Sequence, residues 1–393
     1  MEKIITALDI VFFVLILMPV IYLFTFAIFA QKKKTKPYPP AEKNHHFLVL
    51  FPAYKEDEVI VESVRNFYQQ EYPSHLYKVA VISDGMKKET DSALRNLSAI
   101  VINAYYENSS KAAALNLAIA EQGDDIFDIV VIMDADNTTT PDFLRRLNDA
   151  YDSGILAMQA HRTAKVVKTD VAILDRVSEE INNSIYREGH VRAGLSSALI
   201  GSGMAFDYEW FAENISKVTS AGEDKELELL LLEEGIFIDY LHYLYVYDEK
   251  VATTPVYYRQ RRRWMAAQFD LLGRGIRYLP KAMMTNNIDY CDKLFQWMIP
   301  PRIVLTGFIL LVSIAWVFMD WTVSLKWWLI FFVLLSAFSL AMPDKLYGPA
   351  FKKALVKLPY LFLLTCINLF RIKGANKQFI HTKHGEGRNE NSH

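Results

Sequence analysis

The sequence predicts a doubly wound, mostly parallel α/β domain tied to a membrane by helices at both ends. Three observations predict it. Short apolar runs alternate with helical stretches between Phe47 and Asp134, the spacing of βαβ units that assemble into a parallel sheet. One run, Ile129 to Met133, delivers Asp134-Ala135-Asp136 at the strand edge where ligands of open α/β sheets bind. The chain is 52% hydrophobic, and the excess is gathered at its two ends, where spanning segments would lie.

From the N-terminus, Ile4 to Ala30 is apolar apart from Thr6, Asp9 and Thr25, long enough to cross the hydrocarbon core with some tilt. Lys32, Lys33, Lys34 and Lys36 come after this run instead of preceding it. Residues 1–31 are therefore read as an anchor, not a signal peptide, and the positive-inside rule places the chain beyond Lys32 in the cytoplasm. Pro37, Pro39 and Pro40 stiffen a linker over residues 32–44. Residues 45–250 then read as globular. Strands are expected at Phe47–Ala53, Val79–Ile82, Ile100–Ala104 and Ile129–Met133, with helices from Tyr54 to Tyr68 and from about Ser110 to Glu121. No G-x-G-x-x-G follows the first strand and no G-x-x-x-x-G-K-[ST] occurs, which removes most support for dinucleotide and P-loop chemistry. The formal charge of −2 carries no nucleic-acid signature. Cys291 and Cys366 make neither a disulfide framework nor a thiolate metal site.

Polar residues cluster just after successive strands: Tyr54 and Glu56, then Asp84, then Asp134 and Asp136. Each alone has an ordinary loop explanation. Together they fall where a nucleotide would lie across the sheet edge, with an aromatic to stack and carboxylates for base and ribose. Residues i and i+2 of an extended segment face one side, so Asp134 and Asp136 can share a ligand. Their hard oxygens suit Mg²⁺ or Mn²⁺, which also accepts diphosphate oxygens. In Leu199 to Phe206, Gly201 and Gly203 allow a backbone or sugar to approach closely. Glu223 and Asp224 open an apolar helix that stops at Gly235. An acid there is either a plain N-cap or, kept ionised by the helix dipole, a general base. Before another helix, four arginines in five residues, Arg259 and Arg261 to Arg263, adjoin Trp264. They suit anionic headgroups or a diphosphate equally.

Residues 251–296 are read as interface helices. Trp297 to Met319 and Trp327 to Met342, separated by the polar stretch Asp320 to Lys326, are read as a transmembrane hairpin over residues 297–343. Within residues 344–372, Ala354 to Phe370 is shorter and has Lys352, Lys353, Lys357, Arg371 and Lys373 around it. Basic residues at both ends argue for an interfacial helix, with a fourth span as the alternative.

In this order the motifs resemble those of the membrane-embedded family 2 glycosyltransferases, the group of cellulose, hyaluronan and poly-N-acetylglucosamine synthases and, more distantly, ceramide glucosyltransferase. The resemblance rests on Asp84 in S-D-G, Asp134-Ala135-Asp136 as D-x-D, Glu223-Asp224 as the acceptor-side acids, and Gln260-Arg261-Arg262-Arg263-Trp264 as Q-x-x-R-W. It covers roughly residues 45 to 384. It implies a GT-A fold, an inner-membrane, multi-pass protein with a cytoplasmic catalytic domain, a UDP-sugar donor (UDP-Glc or UDP-GlcNAc first) and Mg²⁺ or Mn²⁺. By the resemblance, Tyr54, Glu56 and Asp84 would hold base and ribose, with Lys111 near the nucleotide. Asp134 would contact the nucleotide-sugar and Asp136 the metal. Asp224, beside Glu223, would be the base, and Gln260, Arg263 and Trp264 would meet acceptor and diphosphate. Phe379 to His384 looks like a gating-loop motif within the tail 373–393, with Thr382 and His384 at the phosphate-contacting positions.

Two functions share these motifs: a β-polysaccharide synthase, and a glycolipid synthase placing one sugar on a membrane lipid. A thin wall of about three spans would need partner subunits or a second copy to complete a polymer channel. A third class, a nucleotide-sugar sensor without catalysis, predicts erosion of the metal or base acids, and none is eroded.

Overall fold

The structure, a computed structural model, describes residues 2–32, 36–107, 109–122, 126–165, 167, 169–249 and 254–371. Thr382 and His384 lie outside the described residues. Strands β1 (Phe47–Tyr54), β2 (Tyr77–Asp84), β3 (Ile100–Ala104), β4 (Ile129–Ile132), β5 (Thr138–Thr139), β6 (Ala157–Ala164), β7 (Met204–Asp207) and β8 (Ile238–Asp248) form an eight-stranded sheet. Its order is β3-β2-β1-β4-β7-β6-β8-β5.

The first four strands pair in parallel. Both faces of this part are covered, which is why β1 and β4 read as continuous apolar runs. The rest of the sheet is mixed. β7 runs antiparallel to β4 and β6, β8 parallel to β6, and β5 antiparallel to β8. The segment expected as a glycine-rich approach thus continues into a strand. The chain builds β2 and β3 to one side of β1, then places β4 on the other. That reversal is the switch point at which open sheets bind ligands, and it lies between Tyr54 and Asp134.

Local chemistry sets the element ends. The helix expected from Tyr54 is confined to Ile60–Phe67, because Tyr54 closes β1 and Lys55 adopts a left-handed φ of 56°. Ser110 caps the helix Lys111–Ala120 by accepting from Ala113 N–H at 3.1 Å. Pro300 and Pro301 divide the expected span at Trp297 into helices Ile288–Met298 and Arg302–Met319.

Among the described residues, four helices are long and apolar enough to cross a membrane: Ile4–Phe29, Arg302–Met319, Trp321–Ala341 and Pro349–Phe370. The polar turn between the middle two narrows to Asp320, which caps the third helix by accepting from Thr322 N–H at 2.9 Å. Lys326 falls inside that helix and pairs with Asp9, whose other oxygen accepts from Trp327 Nε1–H at 2.9 Å. The last segment is interrupted by a tight turn at Leu355–Lys357. Its Ala354 and Leu361 pack on Leu174 of helix Asp170–Asn182. Asn368 Nδ2 donates to the Tyr258 carbonyl at 3.1 Å. Two hydrophobic cores sandwich the sheet, and a third joins the long apolar helices to Val177, Ile181 and Ile185.

Candidate active site

The register of β1 on β2 puts Tyr54 opposite Asp84 at the carboxyl edge of the sheet. One step across the switch point, β4 ends and leads into Asp134 and Asp136. Asp136 is buried and oriented from both sides: Oδ2 accepts from Glu249 N–H at 2.7 Å and Oδ1 from Asn137 Nδ2 at 3.1 Å. Glu56, Asp134 and Glu249 crowd the same place. Burial, then repulsion from Asp136, Asp134 and Glu249, pushes the Glu56 carboxyl up to about 9. Among the described residues no three such side chains stand close enough to hold a metal by themselves, so Asp136 fits as a single protein ligand of a divalent cation that would draw the rest of its shell from phosphates and water.

The second half of the site comes from helix Glu223–Glu233. Gly222 occupies its N-cap position and Asp224 stands in the first turn, where its Oδ1 accepts from Lys225 N–H at 2.8 Å. The plain-cap role is therefore not the one Asp224 takes. Lys111 joins the two halves. Its Nζ lies 2.5 Å from Asp134 Oδ1, donates to Gly201 O at 2.5 Å, and lies 3.4 Å from Glu223 Oε1. Burial would lower the lysine's pKa, but Asp134, Glu223 and Asp224 outweigh it and the net shift is upward. Glu223 is raised to about 7 by burial and by Asp224, with Lys111 opposing. Gly201 closes the gap at φ 83°: a Cβ there would stand 3.6 Å from Glu223 Oε1 and 3.7 Å from Asp224 Oδ2. These are ordinary contact distances, so the positive φ is what calls for glycine at 201, whereas a Cβ at Gly203 would stand only 2.8 Å from Val246 Cγ2.

The arginine motif lies within helix Thr254–Gly275, not before it. Gln260, Arg263 and Trp264 are spaced i, i+3, i+4, so one helix face carries all three. Burial lowers the Arg263 pKa, while Glu223, Asp224 and Asp134 oppose that shift. Arg261 serves a different end, pairing with Asp175 at 2.9 Å and fixing this helix to Asp170–Asn182. All the sequence-predicted residues within the described part (Tyr54, Glu56, Asp84, Lys111, Asp134, Asp136, Glu223, Asp224, Gln260, Arg263 and Trp264) line one cleft of about 1350 Å³.

Sequence reasoning missed Arg162 of β6. It is nearly buried, pairs with Glu179 at 2.9 Å and Asp248 at 3.5 Å, and reaches to 3.9 Å from Asp134 Oδ2. Burial would lower its pKa, but Glu179, Asp248 and Asp134 win and hold it above its ordinary value. The available signal was an arginine inside an otherwise buried strand.

The fold and the acidic edge define a glycosyltransferase. The model of glycosyl transferase family group 2 matches residues 129–342, more than half of the chain, and the chain belongs to that family. The beta-monoglucosyldiacylglycerol synthase of Trichormus variabilis is 23% identical over 231 residues, 55% of this chain and 47% of that protein. The chain therefore spans about half the length of this curated relative. The solved structure of mannosyltransferase PcManGT from Pyrobaculum calidifontis, in complex with GDP-Man and Mn²⁺, superposes with a TM-score of 0.57 at 17% identity. It covers 93% of this chain and 99% of that one, so the two share their fold across the membrane-type helices as well as the sheet.

Proposed function

We propose that the protein moves one sugar from a nucleotide-sugar to a hydroxyl group of a membrane lipid, with inversion at the anomeric carbon. The observation that carries this reading is Lys111, set between Asp134 on the donor side and Glu223 on the acceptor side. It brings the two sets of acids against one ammonium group, so that donor and acceptor would meet in a single site. Tyr54, Glu56 and Asp84 would hold base and ribose, Asp134 the nucleotide-sugar, and Asp136 a Mg²⁺ or Mn²⁺ ion. Bound there, such an ion would offset the diphosphate charge that grows as the sugar departs.

Asp224 takes the proton from the acceptor hydroxyl as its oxygen bonds to the anomeric carbon, and the bond from that carbon to the phosphate oxygen breaks with its electron pair on the diphosphate. Arg263, next to these acids, steadies the charge of the departing group. An α-linked donor then yields a β-glycoside. The curated glycolipid-synthase relative supports a lipid acceptor, and the Mn²⁺ and GDP-Man of the shared-fold mannosyltransferase support a cation and a nucleotide-sugar.

A growing β-linked polysaccharide is the second reading. Trp264, 38% exposed on the cleft wall, offers it an apolar ring face on which a sugar can rest. In either case the catalytic domain sits on the cytoplasmic face of the bacterial inner membrane, with Pro349–Phe370 lying along that face. The contacts of both ends of that segment with Leu174 and Tyr258 support this placement. The test is transfer from α-linked UDP-sugars or GDP-mannose to a membrane lipid extract with Mn²⁺, Mg²⁺ or EDTA. The product's one-bond carbon–hydrogen coupling at the anomeric centre should report a β-linkage formed only with cation. An α-linkage, or full transfer in EDTA, overturns the mechanism.

A further inference from the structure

The catalytic cleft does not end at the arginine motif. Its volume of about 1350 Å³ exceeds the ~300–1,000 Å³ of ordinary small-molecule pockets, and its lining extends onto the apolar helices. Past Trp264 and Trp297 the same cavity runs between helix Arg302–Met319, helix Trp321–Ala341 and segment Pro349–Phe370. There Leu310, Phe338, Leu361 and Phe362 give it a mostly apolar wall, with Arg302, Ser339 and Tyr347 as polar exceptions. Two of its hydroxyls are turned back on their own helices, and the Tyr347 hydroxyl donates to Ser339 Oγ at 2.9 Å. Thr306 Oγ1 donates to the Arg302 carbonyl at 2.7 Å, and Thr365 Oγ1 to the Leu361 carbonyl at 2.7 Å.

Leu311, Leu335, Leu355 and Leu358 line the same cavity and are also exposed at the surface of the helices, so the groove opens sideways. Exposed Lys352, Lys353 and Lys357 flank Leu355 and Leu358, which sets the mouth at the depth where cations meet anionic headgroups.

We infer that this groove receives an acyl chain of the acceptor lipid, which enters laterally from the bilayer and lays its hydroxyl headgroup at Asp224. The inference rests on the lipid-acceptor reading and deepens it. A chain moving from the bilayer into the groove exchanges hydrocarbon for hydrocarbon, so entry costs little. A glycan strand would instead leave most of its hydroxyls facing apolar side chains. Continuity with the acid pair separates this groove from an ordinary lipid-facing seam between helices.

The test is photolabelling with a diazirine-bearing diacylglycerol in nanodiscs, followed by peptide mapping. Labelling on peptides 302–311 and 355–365 should be saturable, competed by unlabelled diacylglycerol, and lost in Thr306→Trp and in Leu310→Trp. Both variants should elute and unfold thermally as the wild type does. Labelling that does not saturate, or that survives both substitutions, overturns the groove. The readout needs no turnover. Saturable groove labelling in a protein that builds only polymer would uphold the groove and overturn the glycolipid reading.

Discussion

Glu223 and Asp224 are chain neighbours at a helix start, yet their surroundings separate them. Asp224 lies at the rim of Gly201, while Glu223 is buried against Lys111 and holds its proton to about pH 7. Asp224→Asn should therefore lower transfer by about 10²–10⁴-fold with donor affinity kept. Asp136→Ala should instead abolish the cation dependence of donor binding, which calorimetric titration of the nucleotide reads directly. Below pH 7 Glu223 is neutral, and above it the charge beside Asp224 makes that carboxylate a better base. Transfer should thus rise through about pH 7, an inflection that Glu223→Gln removes. Stability carries the opposite sign. The folded carboxyl binds its proton more tightly than a free glutamate, whose ordinary value is 4.5, so its contribution is full below 4.5 and is lost as pH climbs to about 7. At this scale much was legible, because Tyr54, Asp84, Asp134 and Asp136 each follow an apolar run and Glu223 opens an apolar helix. Arg162, Asn137 and Glu249 were not. The places of Arg162 and Glu249 beside Asp134 and Asp136 depend on β6 and β8 returning to the sheet, a pairing between residues far apart in sequence, whereas Asn137 follows Asp136 directly in the chain.

Helix Thr254–Gly275 shows how an element converts spacing into a site. Its i, i+3, i+4 pattern presents Gln260, Arg263 and Trp264 together, Arg261 anchors it to Asp170–Asn182, and Asn368 ties its Tyr258 carbonyl to the last apolar segment. That segment is held by close packing. A Cβ added at Gly307 would stand only 2.3 Å from the Phe362 ring, so Gly307→Ala forces that ring out of its place against helix Arg302–Met319. Overpacking of this kind costs about 1–3 kcal/mol. Thermal unfolding in detergent should report the loss, and an unchanged midpoint would mean that the segment is not seated there. Strands and helices were legible from apolar period and capping residues. Their limits were less so, since Lys55, Gly222 and Pro300–Pro301 act through backbone conformation, which pattern alone does not reveal.

On the scale of the whole molecule, the N-terminal helix is fixed to the third apolar helix by Asp9, Lys326 and Trp327. Asp9 read as a minor interruption and Lys326 as part of a polar turn, because neither helix announces its partner. Breaking a buried pair costs about 3–5 kcal/mol. Lys326 is partly exposed near its helix start and can snorkel, so Asp9→Ala should fall below that range. Adding Lys326→Ala should restore part of the loss, and a double-mutant cycle in detergent tests the coupling.

The measurement that bears most directly on the central claim is a time course of intact-product mass spectra. Purified protein would be given UDP-Glc, UDP-GlcNAc or GDP-mannose, Mn²⁺ and a membrane lipid extract, with Asp224→Asn as the control. The result expected is a lipid heavier by one hexose or N-acetylhexosamine, absent with Asp224→Asn. A ladder rising by one sugar mass at a time, or the same product from Asp224→Asn, would contradict it.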